Sequence, residues 1–306
     1  QKCVGMFAIA VYDISERSVT LVRDRLGEKP LYYSLKDNIL TFSSEIKSFW
    51  HVPNFVPKIS KNALAGMIER AYVSLPQTIF CDVKQLPPGH LIKFSTEGHE
   101  AAPKCWWSLK ELILRNKPVP KLTDDECLSR LDELLNDIIS AQLLADVKVG
   151  VFMSGGIDSS LVAAIAQANF ASSIDTFTAS FGEGLYDESE RASSIARYIG
   201  SNHTEIFVSP NDLLETVSLL PYIYDEPFGD SSQLPTYLVS KTASNSVKAC
   251  LTGDGADEVF GGYNRYIWFG SAWKKSRLVP PYLRPHIYRA FKATPAGRIN
   301  GIIGLV

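Results

Sequence analysis

The chain has 306 residues, about twice a common domain length, so two folded units with separate cores are expected. Hydrophobic residues at 45%, charged residues at 21%, 20 Gly and 17 Pro match ordinary globular sequences and exclude collagen-like, low-complexity and disordered classes. The net charge of -2 is uneven, with 23 basic and 33 acidic side chains over residues 1–258 and eight basic residues with no acid from Val259 onward.

The first hundred residues carry short β-type runs at 4–12, 18–23, 30–34 and 39–43, the last after a Lys36-Asp37-Asn38 turn. Short strands joined by tight turns predict antiparallel sheet. The turn Arg23-Asp24-Arg25-Leu26-Gly27 is expected to be structural, joining strands and touching the second unit with no catalytic proton of its own; the other reading of an Arg-Asp-Arg run is a solvated ion-pair cluster worth little. Helical spacing of Leu64, Met67 and Ile68 predicts a helix over 60–72, and Leu86-Pro87-Pro88-Gly89 opens a strand over 90–94. Lys117-Pro118-Val119-Pro120-Lys121 has linker composition, which divides the chain into 1–105, a linker over 106–122, and 123–306.

Beyond the linker the period changes. Thr123 with Glu126 three residues on is a capping-box pattern, and Leu128, Leu131, Leu134, Leu135, Ile138 and Ile139 recur at helical spacing. Strands are predicted over 147–153, 174–180, 203–208 and 247–251, alternating with helices over 158–169, 188–198, 211–220 and 235–244. This alternation predicts an α/β unit, a parallel sheet covered on both faces, with ligands beyond the carboxyl ends of the strands. No run reaches about 18 apolar residues, which argues against a membrane span. Cys3, Cys81, Cys105, Cys127 and Cys250 are scattered, odd in number and free of C-x-x-C pairs, predicting a reducing, cytoplasmic compartment without a disulfide framework. The basic residues Lys274, Lys275, Arg277, Arg284, Arg289, Lys292 and Arg298 accompany no recognition motif and read as solvated helix faces, with no nucleic-acid partner.

Two predicted strand ends are unusual. After the first comes Ser154-Gly155-Gly156-Ile157-Asp158-Ser159-Ser160, in which glycines let backbone amides approach an anion, the Ser154 and Ser159 hydroxyls can donate to phosphate, and a helix N-terminus aims its free N–H groups at the same place. The loop lacks the Lys that reaches the outer phosphates in kinase-type P-loops, which disfavours γ-phosphoryl transfer. Asp158 suits a cation that neutralises phosphate, although a Gly-Gly turn with Asp158 or Ser159 as an ordinary N-cap has the same composition. The other end, Thr252-Gly253-Asp254-Gly255-Ala256-Asp257-Glu258, places three carboxylates in five residues. Their repulsion is relieved by a hard cation such as Mg2+ among them, or by solvent around the first turn of a helix.

Ser154-Gly155-Gly156-Ile157-Asp158-Ser159 matches the S-G-G-x-D-S pyrophosphate loop of ATP pyrophosphatases that adenylate carboxylates and carbonyls. Together with Leu251-Thr252-Gly253-Asp254-Gly255-Ala256-Asp257-Glu258-Val259-Phe260-Gly261-Gly262-Tyr263, it resembles the synthetase domain of glutamine-hydrolysing asparagine synthase. Asp225-Glu226-Pro227-Phe228-Gly229-Asp230-Ser231-Ser232, running on to Pro235-Thr236, is similar to bacterial members of that family. Gly5-Met6-Phe7-Ala8 and Arg23-Asp24-Arg25-Leu26-Gly27-Glu28-Lys29-Pro30-Leu31-Tyr32-Tyr33 resemble the second half of its N-terminal glutaminase domain. The resemblance runs in order over residues 4–270.

It implies a partial α+β glutaminase-like sandwich of the N-terminal-nucleophile type, followed by a Rossmann-like α/β synthetase domain. The implied reaction is asparagine synthesis: the side-chain carboxylate of aspartate displaces pyrophosphate from ATP, and ammonia derived from glutamine displaces AMP. ATP and Mg2+ would serve it, with preorganised N–H donors and the cation stabilising charge on the leaving pyrophosphate. Ser154, Gly155, Gly156, Asp158 and Ser159 would bind pyrophosphate, while Met153 and Ala179, at strand ends, would line adenine and ribose beside Thr252 and Gly253. Asp158 and Asp257 would share the metal, Asp254 would handle the ammonia proton, and Glu226, Ser231 and Ser232 would lie near the acceptor. The partners implied are small molecules (aspartate, ATP, and glutamine or ammonia), with a homodimer allowed and no membrane. The alternatives are an amidotransferase acting on a sugar acid or a β-lactam-type precursor, and a nucleotide-binding module without turnover.

In this family the glutaminase nucleophile is a cysteine at the processed N-terminus, which would precede residue 1, and later synthetase helices would follow Val306. The chain is therefore expected to be an internal piece of a longer protein or a truncated product. Cys3 has its nitrogen in a peptide bond and is expected to pack before a core strand rather than attack glutamine. Accordingly, the chain should release no glutamate from excess glutamine; turnover abolished by Cys3→Ala would instead reveal a nucleophile within these residues.

Overall fold

The computed structural model describes residues 3–95, 101–115, 122–170, 172–182 and 188–264, with scattered positions between 266 and 289. The N-terminal half contains β1 (Ala8–Asp13), β2 (Ser18–Arg23), β3 (Tyr32–Lys36), β4 (Ile39–Ser43), α1 (Lys61–Arg70), β5 (Lys84–Gln85), β6 (His90–Ser95) and β7 (Lys104–Cys105). They form two antiparallel sheets of order β1-β2-β6-β7 and β4-β3-β5. Period-2 alternation decides which side chains meet: Leu21 lies opposite Ile92, and Phe94 shares the face of Ile92 two residues on. These side chains form one buried cluster with Tyr33 of the other sheet and with Leu31 and Leu86. The rings of Tyr33 and Phe94 meet edge to face at 5.6 Å. Full burial of each large apolar side chain is worth about 1.5–3 kcal/mol. A 3-10 helix, Ile46–His51, adds a satellite core of Ile46, Phe49 and Val83.

Two expectations are corrected here. The segment expected to begin a core strand is a sheet edge: β1 pairs with β2 alone, and Ile9 through Asp13 are exposed. Cys3, expected to pack, is exposed as well. The 3-10 helix and the two-residue strands β5 and β7 were not expected, because so few residues show no periodicity. All five cysteines are free.

In the second half, α2 (Leu109–Arg115) occupies part of the segment expected to be a linker, and the Lys117–Lys121 stretch lies outside the described residues. The element order continues with α3 (Asp124–Leu143), β8 (Val149–Phe152), α4 (Ile157–Ala168), β9 (Asp175–Ser180), α5 (Ser189–Ile199) and β10 (Asn202–Phe207). Then follow α6 (Pro210–Ile223), α7 (Gln233–Ala243), β11 (Ala249–Leu251) and α8 (Ala256–Phe260). The expected capping box starts α3, with Thr123 accepting from the Glu126 amide and the Glu126 carboxylate accepting from the Thr123 amide. Only one side of α3 is covered: Leu135, Ile139 and Leu143 pack, whereas Leu128, Leu134 and Ile138 are exposed. Of the basic C-terminal residues, Lys274, Lys275, Lys292 and Arg298 lie outside the described residues.

The sheet is parallel throughout, in the order β10-β9-β8-β11. Alternation along β8 builds both layers. Val149, Val151 and Met153 face a core made with α3, α4 and α5, while Phe152 faces Phe177 and the α7 residues Val239 and Ala243. The strand order reverses at β8, and crevices open outside the carboxyl ends of strands at such a point. Among the described residues no helix is long and apolar enough to cross a membrane.

The Arg23-Asp24 turn is buried rather than solvated, with side chains 4% and 1% exposed. Arg23 donates to the carbonyls of Lys29 (3.0 Å), Leu86 (2.7 Å) and Gly27 (2.6 Å). The Asp24 carboxylate accepts backbone N–H bonds from Phe7, Leu26, Gly27, Glu28 and Lys29. All these partners belong to the N-terminal half, so the two charges are stitched into their own sheet rather than to the second unit. Burial raises the Asp24 carboxyl, but the amides of Lys29, Glu28, Gly27 and Phe7 outweigh it and hold the pKa below the ordinary 3.8. A depressed pKa contributes stability that is present above the ordinary value and lost as pH falls through the folded value. Asp24→Ala should cost on the order of 3 kcal/mol by orphaning several amides. In urea unfolding followed from about pH 6 to pH 3, Asp24→Asn should also lose part of the acid limb of the wild-type profile; an acid limb of unchanged depth would contradict the assignment.

Candidate active site

Helix α4 begins at Gly156, which has extended backbone and no side chain to cap the first amides. Those N–H groups and the positive end of the helix dipole remain available to an anion. The loop before it is held by its own hydroxyls. Ser159 Oγ accepts from the Ser154 amide at 3.1 Å and lies 3.1 Å from Ser154 Oγ, while Ser154 Oγ accepts from the Gly156 amide at 3.3 Å. Gly155 has φ +79°, and a Cβ there would stand 2.9 Å from the Glu188 carbonyl oxygen and 3.0 Å from the Ala192 amide. Only glycine lets the loop lie flat against the start of α5.

The acidic turn after β11 interlocks with this loop. A Cβ on Gly253 would lie 2.8 Å from the Ser159 backbone nitrogen and 3.2 Å from Asp158 Cβ, so the two turns touch main chain to main chain. The Asp254 amide donates to Thr252 Oγ1 at 3.3 Å, and Ala256 donates to the Gly253 carbonyl at 3.3 Å, which starts α8. The three carboxylates of this turn then separate. Glu258 accepts from the Tyr263 hydroxyl at 2.7 Å, away from the crevice, whereas Asp254 and Asp257 face it.

A cavity of about 420 Å³ lies beyond the carboxyl ends of β8, β9 and β11, within the size range of small-molecule sites. Met153, Ser154, Gly156, Asp158, Ser159, Ala179, Thr252 and Gly253 all line it, together with Asp254 and Asp257. Gly155 is beneath the loop, against α5, rather than in the lining. Glu226, Ser231 and Ser232 are outside the lining: the Glu226 carboxylate accepts from the Ile79 amide of the N-terminal half, and the Ser232 amide donates to Asp230. Residues not singled out from the sequence complete the walls, among them Phe152, Phe181, Glu188 and Val239, together with Pro235 and Thr236, which the sequence marked only as the end of a family motif. Phe152 and Phe181 stand at strand ends, a signal available in the sequence, but α7 reaches the cavity only by packing on the sheet. Among the described residues no group of three His, Cys, Asp or Glu is placed to hold a metal by itself. Asp158 and Asp257 on one cavity wall suit a hard cation that takes its remaining oxygens from phosphate. Gly253→Ala should destabilise the fold by about 1–3 kcal/mol, because backbone rather than a flexible side chain must give way; an unchanged thermal midpoint would show that the turns are not in contact.

The chain matches two family descriptions, asparagine synthase over residues 130–300 and glutamine amidotransferase domain over residues 1–107. A Methanocaldococcus jannaschii protein provisionally named asparagine synthetase (glutamine-hydrolysing) 2 is 33% identical over 283 residues, covering 92% of this chain and 53% of that protein. Asparagine synthetase (glutamine-hydrolysing) 1 of Bacillus subtilis is 31% identical over 266 residues, covering 87% of this chain and 40% of its own length. A Gibberella zeae protein named amidase chry2 is 29% identical over 278 residues, covering 86% and 40% respectively. The chain thus spans about half the length, or less, of these curated relatives. The asparagine synthase match covers more than half of the chain and contains the β8–α4 loop, the acidic turn after β11 and the cavity between them, so this chain belongs to the asparagine synthase family.

Proposed function

We propose that the cavity binds ATP and serves the adenylation of a carboxylic acid, aspartate in the first instance, for amidation by ammonia. The observation that carries this is the meeting of the α4 amides, the Ser154 and Ser159 hydroxyls and two carboxylates in one crevice of a parallel sheet. The acceptor carboxylate attacks the α-phosphorus, the α–β bridging bond breaks and pyrophosphate leaves. Ammonia then attacks the acyl carbon, AMP departs and a proton is shed. Charge grows on the leaving pyrophosphate, and donors fixed in advance stabilise it without reorganisation. Bound Mg2+, held by Asp158 and Asp257, would neutralise the phosphates. The apolar walls from Phe152, Phe181 and Val239 suit a nucleobase, and Asp254, which lines the cavity, would accept the ammonia proton. Ser231 and Ser232 precede α7, whose first turn faces the cavity, and stay as acceptor candidates; Glu226 is engaged elsewhere.

Within this proposal residues 1–105 and 123–306 are the two units, consistent with separate matches over 1–107 and 130–300, and the first is a glutaminase-type sandwich. Five free thiols accord with a reducing, cytoplasmic setting. The relative named an amidase favours one second reading, in which the acceptor is a different carboxylic acid. Aspartate-dependent ATP–pyrophosphate exchange tests both. Asp158→Asn should lower exchange by roughly 100-fold or more at unchanged melting temperature, as expected for a group that supports transition-state charge. Exchange unaffected by the substitution removes Asp158 from the site; stimulation by another acid in place of aspartate selects the second reading.

A further inference from the structure

The segment between α6 and α7 is anchored on the other half of the chain. The 3-10 helix Ile46–His51 has Glu45 at its N-cap, and the Glu45 side chain makes no capping bond. Asp225 takes that place from 179 residues away, its Oδ2 accepting the Ile46 amide. Its Oδ1 lies 3.5 Å from Lys47 Nζ, which also donates to the Ile223 carbonyl at 3.1 Å. Next to it, Glu226 Oε1 accepts the Ile79 amide. Gly229 donates its amide to the Ala71 carbonyl at 2.7 Å, at the left-handed residue that ends α1. Five contacts from residues 223–229 thus reach the N-terminal half, two of them at helix termini, the Ile46 amide and the Ala71 carbonyl. Burial and then Asp225 push the Glu226 carboxyl up against the pull of the Ile79 amide, and Tyr32 is raised to about 12 by burial and by both carboxylates.

The same segment is tied to the cavity. The Tyr224 hydroxyl donates to the Gln233 carbonyl at 2.9 Å, and the Tyr224 and Phe228 rings pack edge to face at 4.9 Å. The loop therefore leads directly into α7, which supplies Pro235 and Thr236 from its first turn and Val239 from its second to the cavity lining. We propose that Asp225 and Glu226 are positioning residues, a latch through which the N-terminal half sets the α7 wall of the nucleotide cavity. The proposal rests on the nucleotide reading of that cavity for its functional consequence, but not for its structural one. Coupling of this kind is reciprocal, so filling the cavity must also steady the latched amides.

Hydrogen exchange on the 306-residue chain, with and without ATP, tests it. In Glu226→Ala the α7 segment should exchange faster and ATP should bind about tenfold more weakly, a typical coupling size. Glu226→Gln, whose amide oxygen can still accept from Ile79, should stay near wild type, which a simple loss of stability would not explain. In the wild type, ATP should slow exchange at Ile46 and Ile79. Should Glu226→Ala fail to fold, Lys47→Ala, at the exposed end of the latch, must shift α7 exchange in the same direction. Folded variants with α7 exchange unchanged overturn the latch, as does ATP binding that leaves Ile46 and Ile79 unaffected. A wild type that does not bind ATP refutes the nucleotide reading instead, and α7 exchange in the nucleotide-free variants still decides the positioning role.

Discussion

The chemistry of this chain depends on one main-chain contact. The turns that leave β8 and β11 touch at Gly253, with no room for a Cβ against the Ser159 nitrogen. Parallel pairing puts the carboxyl ends of neighbouring strands at the same edge, and the pairing of Ala249, Cys250 and Leu251 of β11 with Val149, Gly150 and Val151 of β8 brings the two turns level. Without that approach the α4 amides would form an anion site and the carboxylates an acidic helix start. With it, Asp158, Asp254 and Asp257 share a wall with the Ser154 and Ser159 hydroxyls. Under the proposed function, an anion cradle lined by carboxylates would need a cation beside the phosphate, an electrostatic demand that a P-loop of the kinase type meets with its lysine.

Several charged groups elsewhere are satisfied chiefly by backbone, whereas the buried Asp175 pairs with the side chains of Lys148 and Asn202. Asp24 gathers five amides and Arg23 three carbonyls, so the turn they occupy holds the N-terminal sheets without any exposed ion pair. Asp225 and Glu226 do the same across the two halves. A carboxylate that accepts from otherwise orphaned amides offsets its own desolvation, whereas an apolar substitute would leave the amides unpaired. Interfaces built this way are small and directional, which suits a joint that transmits position.

How much was legible differs between the two halves. In the second, capping at Thr123, the apolar run over 147–153 and the regular exchange of strand and helix identified a parallel sheet with two covered faces. In the first, strands were recognised but their environment was not: 4–12 is apolar and β-branched, yet β1 lies at a sheet edge. The Arg23-Asp24-Arg25 run has the composition of a solvated ion-pair cluster, and composition alone does not show that its partners are carbonyls and amides of the turn itself, joined by the Leu86 carbonyl and the Phe7 amide from farther along the chain.

Local composition by itself determined the anion loop, the acidic turn and their strand-end placement, because glycine freedom, hydroxyl donors and helix starts depend on neighbours within a few residues. Motif order pointed to the family for the same reason. Tertiary structure alone decided which residues of the acidic turn border the cavity, turning Glu258 toward Tyr263 and leaving Asp254 and Asp257 in the lining. It alone recruited α7 to the wall, and it took Glu226 from the expected acceptor region to the Ile79 amide 147 residues earlier. Such pairings are fixed by the packing of sheets and helices, and no short-range pattern encodes them.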